Sequence, residues 1–157
     1  MGVITKLTVM RDVALVTLNK VPANVESVCR IFDLLDEAGI NVDMISQSPL
    51  TGAYVAVSFT ASSDEMVKIA GLANSIGRDL PSVRPLISHN NVKISLFGEK
   101  MPEYHGVAAS VFRVLRDCGT DVLLITTSSV DISVLVNGAS AEQCIEALKK
   151  AYGLSEE

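Results

Sequence analysis

Phe32-Asp33-Leu34-Leu35-Asp36-Glu37-Ala38-Gly39-Ile40-Asn41-Val42 is answered, at an offset of 80, by Phe112-Arg113-Val114-Leu115-Arg116-Asp117-Cys118-Gly119-Thr120-Asp121-Val122. The same offset lays Ile45 on Ile125 and Ser48 on Ser128. Each copy carries a helical apolar stripe, then a glycine where a helix stops in the left-handed conformation, then the start of a strand. A duplicated unit of this size predicts two small domains that share a core or an interface.

Working outward, the first copy reads as a complete βαββαβ unit. Val13–Leu18 is a strand. Asn24 is a good N-cap, and Val25, Val28, Phe32 and Leu35 have helical spacing. Asn41–Ser48 is a strand with Val42, Met44 and Ile45 inward. Pro49-Leu50-Thr51-Gly52 is a turn, and Ala53–Thr60 returns as a strand. Ser62 and Glu65 form a capping box for a helix with Met66, Ile69, Ala73 and Ile76 on one face, ending at Gly77. Val83–Ser88 closes the unit, and His89 falls in a linker.

The second copy is one strand short. It runs Val92–Gly98 (strand), Val107–Cys118 (helix), Val122–Ser128 (strand), Val130–Asn137 (strand), then a helix opened by a capping box from Ser140 to Gln143 with Ile145 and Leu148 inward. The start of the chain holds a surplus strand, Val3–Val9, set off by a turn at Arg11-Asp12. An uncovered sheet edge is a liability, so the surplus strand is expected to complete the second unit.

Composition narrows the function. The chain has 157 residues, is 48% hydrophobic, and has a mean hydropathy of +0.37. The apolar residues lie in short runs, far from the roughly 20 needed to span a membrane, and no signal peptide is evident. The net charge is −5 with pI near 5.0 and no basic cluster, which argues against nucleic acid. Cys29, Cys118 and Cys144 form no CxxC pair and read as small buried side chains in a reducing, cytoplasmic setting. No P-loop, GxGxxG, HExxH or Ser/His/Asp arrangement is present, and neither a metal nor a cofactor is expected.

The duplicated unit resembles a tandem ACT-domain pair, and specifically the C-terminal regulatory region of aspartokinase. Gly39-Ile40-Asn41-Val42-Asp43-Met44-Ile45-Ser46-Gln47-Ser48 is similar to that family's signature. Val92–Gly98, Gly106-Val107-Ala108-Ala109, Ile125-Thr126-Thr127-Ser128 and Ala151-Tyr152-Gly153-Leu154 follow its pattern. The resemblance implies an α+β fold of two ferredoxin-like βαββαβ ACT domains, the second completed by the N-terminal strand. The first domain would cover residues 12–89 and the second residues 2–10 plus 91–154. It also implies a region without catalytic residues that binds an end-product amino acid, lysine or threonine, for feedback control. The implied partners are that effector, a second copy in a homodimer, and a catalytic aspartokinase subunit. The chain has the size of the separate regulatory subunit that some members make.

The expected site is the loop after the first strand of each unit, where a helix N-terminus favours a carboxylate. In the first unit this is Ala23, Asn24, Val25, Glu26, Ser27 and Val28; in the second, His105, Gly106, Val107 and Ala108. The resemblance adds Asn41, Gln47, Asp121 and Val122. The family carries Asp-x-Pro-Gly where this chain has Ala23-Asn24-Val25-Glu26. The acidic partner for an ammonium group is therefore missing from its usual place, and Glu26 stands at the helix start, where it complements the dipole itself. Asp121 is the candidate replacement. Plainer readings also exist: Asn41 and Asp121 as turn residues, Gln47 as a strand residue, Glu26 as a first-turn acid, His105 as a solvated loop residue. The alternative function is a stand-alone ACT sensor, or a dimerisation module with a degenerate ligand site.

Overall fold

The computed structural model describes residues 2–157. The chain divides into two compact units. One is Val13–His89; the other combines the residues up to Asp12 with Asn90–Glu157. Two long strands contribute to both: β1 (Lys6–Pro22) and β4 (Arg84–Phe97). Each has a left-handed non-glycine residue where it passes from one unit to the other, Asp12 (φ 55°) and Asn90 (φ 58°). The expected turn at Arg11-Asp12 and linker at His89 are corrected by this. Asp and Asn tolerate positive φ, so here they kink a strand without ending it.

In the unit Val13–His89 the remaining elements are α1 (Val25–Glu37), β2 (Ile45–Gln47), β3 (Tyr54–Ser62) and α2 (Met66–Asp79). The strand order is β2-β3-β1-β4, the ferredoxin-like arrangement. Register and pattern agree: Ala14, Val16 and Leu18 stand opposite Ala61, Phe59 and Val57, and all six are buried in one core. The inward spacing then jumps from Leu18 to Val21. A β-bulge absorbs the extra residue, with Lys20 left-handed (φ 56°), and Val21 stays inward. Ile31, Leu34 and Leu35 of α1 and Ile69, Leu72 and Ile76 of α2 close over Phe59, which is fully buried.

The helix ends follow capping rules. Asn24 Oδ1 accepts the Ser27 amide at 2.8 Å. At the other end, Gly39 is left-handed (φ 67°), and the Gly39 and Ile40 amides donate to the Asp36 and Leu35 carbonyls. This pair of bonds is a Schellman stop. Several expectations need correcting. Val25 is exposed, and the buried stripe of α1 is Ser27, Ile31, Leu34 and Leu35. The strand expected over Asn41–Ser48 is only Ile45–Gln47, with Ile45 exposed. No capping box forms at Ser62; its hydroxyl takes the Asp64 amide at 3.2 Å and a 3₁₀ turn (Ser63–Glu65) precedes α2. α2 runs past Gly77 to Asp79, since a single glycine weakens a helix without stopping it.

The other unit adds α3 (Val107–Asp117), β5 (Val122–Thr127), β6 (Asp131–Asn137) and α4 (Gly138–Tyr152) to its parts of β1 and β4. The order is β1-β4-β6-β5, so the N-terminal strand supplies the missing fourth strand. Val92, Ile94 and Leu96 stand opposite Val136, Val134 and Ile132. They share a core with Leu7, Val111, Leu115, Ile145 and Leu148. α3 ends like α1: Gly119 (φ 66°) and Thr120 donate to Arg116 and Leu115. Gly98 lets the N-terminal segment approach, because a Cβ there would lie 1.9 Å from the Val3 carbonyl oxygen. The Thr5 amide donates to the Phe97 carbonyl at 2.8 Å. α4 begins earlier than expected. Asn137 caps it through the Ala139 amide (2.8 Å), and Ser140 lies in its first turn. Of the cysteines, only Cys144 is buried; Cys118 is half-buried and Cys29 exposed. Burial pushes the Cys144 thiol pKa up.

Candidate functional site

The loop from β1 to α1 is fixed at both ends. The Ala23 amide donates to the Ala53 carbonyl (3.0 Å) and the Asn24 amide to the Pro22 carbonyl (2.8 Å). Asn24 satisfies the Ser27 amide through its side chain, and its carbonyl accepts from Val28. The Val25 and Glu26 amides remain as the unpaired donors that a helix start presents. Beside Val25 is a cleft of about 260 Å³ lined by Asn24, Val25, Val28, Gln47, Leu50 and Val55. It brings four of the expected residues together: Asn24, Val25, Val28 and Gln47. Gln47 reaches it from β2, at the sheet edge beside β3. Leu50 and Val55 were not anticipated. The signal for Leu50 was an apolar residue in the Pro49–Gly52 turn, where its side chain is 69% exposed.

Glu26 and Ser27 lie elsewhere. With Val25 they line an open groove of about 810 Å³ that also includes Cys29, Arg30, Asp33, Asp79 and Leu80. Arg30 pairs there with Asp79 at 2.6 Å and with Glu37 at 3.1 Å. These partners hold its guanidinium pKa above the ordinary value. Ala23 packs against the core and its amide is already used. Asn41 is exposed and follows the far end of α1 from Asn24.

In the second unit α3 separates the expected residues. His105, Gly106 and Val107 are at its start, in a cleft of about 240 Å³ with Val3, Ile4, Tyr104, Ser110 and Tyr152. Asp121 and Val122 follow its end, in a different cleft with Phe112, Leu115, Arg116, Gly119 and Thr120. At about 1.5 Å per residue, the 11 residues of α3 keep the two groups apart within this unit. Ala108 is exposed and lines neither cleft. Gly106 caps α3 in the left-handed conformation (φ 80°) with no side-chain hydrogen bond. The Ser110 hydroxyl is paired with the Tyr152 hydroxyl, a link that sequence spacing does not reveal.

None of these four clefts brings together a nucleophile, a base and an orienting acid among the described residues. Among the described residues, no group of three or more His, Cys, Asp or Glu is placed to hold a metal. Among the described residues, no helix is long and apolar enough to cross a membrane.

Residues 94–152 match the ACT domain family. An aspartokinase of Bacillus sp. (strain MGA3) is 32% identical over 92% of this chain. Among solved structures, the regulatory subunit of aspartate kinase from Thermus thermophilus, in a ligand-free form, superposes with a TM-score of 0.87 at 24% identity, covering 96% of this chain and 99% of that one. A structure of aspartokinase alpha and beta subunits gives a TM-score of 0.83 at 26% identity, covering 96% and 99%. The chain is similar throughout to an aspartokinase regulatory region. It spans about a third (35%) of the length of the curated aspartokinases it matches. The fold shared with these solved structures accounts for the strand order found in both units, and the N-terminal strand completes the second.

Proposed function

We propose that this chain is the non-catalytic regulatory part of an aspartokinase, and that it binds an end-product amino acid, lysine or threonine, for feedback control. The observation that carries this reading is the small cleft that joins the α1 N-terminus to Gln47. Its volume lies just below the roughly 300–1,000 Å³ of drug-sized ligand pockets, a scale suited to a free amino acid. The Val25 amide and the helix dipole would receive the ligand carboxylate. Gln47 would hydrogen-bond the ligand, and Val28, Leu50 and Val55 would pack its aliphatic part. Asp121, which lines a separate cleft after α3, is the proposed ammonium partner, and a second copy in a homodimer is the first proposed macromolecular partner. The catalytic aspartokinase subunit is the second proposed partner. Ligand control then follows from differential affinity for two arrangements of the assembly.

The test is calorimetric titration of the purified chain with lysine, threonine and methionine. Saturable binding of lysine or threonine, lost in Gln47→Ala with an unchanged circular dichroism spectrum, is the expected result. Absence of heat with every amino acid, from a folded chain, rejects the sensor reading. A second reading is favoured by the Ala23–Glu26 turn. The Ala23 methyl and the bonded Ala23 amide leave no acidic group where the family pattern has one, which suits a dimerisation module with a degenerate site.

A further inference from the structure

The last residues of the chain lie along β1. Glu156 forms a parallel bridge with Leu7, and the Glu157 amide donates to the Leu7 carbonyl at 3.1 Å. Charges reinforce the backbone contact. Lys6 Nζ lies 2.6 Å from Glu157. Arg11 Nη1 donates to Glu156 at 2.6 Å, while its Nε and Nη2 reach Glu142 of α4 at 3.1 and 2.9 Å. One guanidinium thus joins the tail and α4 to the strand, and all these groups belong to one unit. Among the described residues β1 has β3 and β4 as its neighbours in the sheet order, and the β3 register starts at Val13. At Leu7 the side of β1 away from β4 therefore has the tail as its strand partner, and from Thr8 to Asp12 no strand pairing continues it on that side among the described residues.

We propose that this basic edge of β1 is a strand-addition site for an acidic, extended segment in parallel register, and that the isolated chain holds it closed with its own tail. Backbone groups on a free edge supply affinity for any extended peptide. Lys6 and Arg11 select for acid, because self-pairing of two such edges in antiparallel register would bring Lys6 near the partner's Arg11. The occupant is a peptide with the chemistry of Leu154-Ser155-Glu156-Glu157, as offered by a second copy of the chain. Tethering at Gly153, itself left-handed (φ 65°), gives the resident tail a millimolar effective concentration, so a free peptide is excluded while the tail is present.

The experiment compares the full chain with one ending at Ser155, which keeps the half-buried Leu154. A synthetic peptide of residues 151–157 is titrated into each and followed by amide NMR shifts. The shorter chain is expected to show saturable shifts at Leu7 to Arg11 in the millimolar range. The full chain shows none at the same concentrations, and Arg11→Ala in the shorter chain weakens binding about fivefold. A Glu156→Gln, Glu157→Gln peptide binds more weakly than the parent. In the full chain, Arg11→Ala speeds hydrogen exchange of the Glu157 amide. Equal shifts in both chains, or no shift in the shorter one at several millimolar, overturn the proposal.

Discussion

Gly98 is placed where no side chain fits. Its missing Cβ is what allows the Val3 carbonyl to lie against it, and that approach seats the residues ahead of β1. Gly98→Ala forces backbone against backbone, with no flexible side chain to yield. The expected loss is about 1–3 kcal/mol, the range for overpacked sites, read as a lower urea midpoint with faster exchange at Thr5. Gly39 and Gly119 act through φ, and both were evident from their position after a helical stripe. Glu26 shows the opposite case. Its place at a helix start was legible, but which groove its side chain lines depends on the direction of α1, which no local pattern encodes.

At the scale of elements, the two units use different caps for equivalent helices. α1 and α4 start from asparagine, and α3 from a left-handed glycine. Asn24→Ala and Asn137→Ala are each expected to destabilise the fold by about 1 kcal/mol, measured by chemical denaturation. Asn24→Ala should also weaken any ligand held at the start of α1, whereas Asn137→Ala should leave binding unchanged. The helices and the glycine stops of α1 and α3 were readable from period and capping. Misreadings clustered where a residue has two structural uses. Asp12 and Asn90 are turn formers that the flanking strand pairs hold inside strands. Ser140 matches a capping box, but Asn137, three residues earlier, wins the cap. Asn41–Asp43 alternates like a strand, yet β2 pairs only over Ile45–Gln47. The candidate site was legible in its helix start and in Gln47, and illegible in Leu50, Val55 and Tyr152, which arrive from other elements through packing.

For the whole molecule, the decisive feature is that one unit is continuous in sequence and the other is not. Residues 13–89 contain four strands and two helices in ferredoxin-like order and are expected to fold alone. Residues 90–157 lack the Leu7 strand of their core. They are expected to show weak, non-cooperative unfolding until a peptide of residues 2–12 is added, which should restore a cooperative transition. Restoration by an unrelated β-forming peptide of equal length would reject that expectation. This interleaving was visible before any coordinates, because strand counting left a surplus at one end and a deficit at the other.

Order of synthesis gives the N-terminal strand a further consequence. Lys6–Arg11 leaves the ribosome before its partner in β4, which emerges more than eighty residues later. At roughly 5–20 residues per second, the nascent strand waits several seconds with its apolar residues and backbone unpaired. The span that fills the interval, Val13–His89, completes its own core in that time. A nascent chain therefore carries a completed body between an unpaired strand and the partner still to be made.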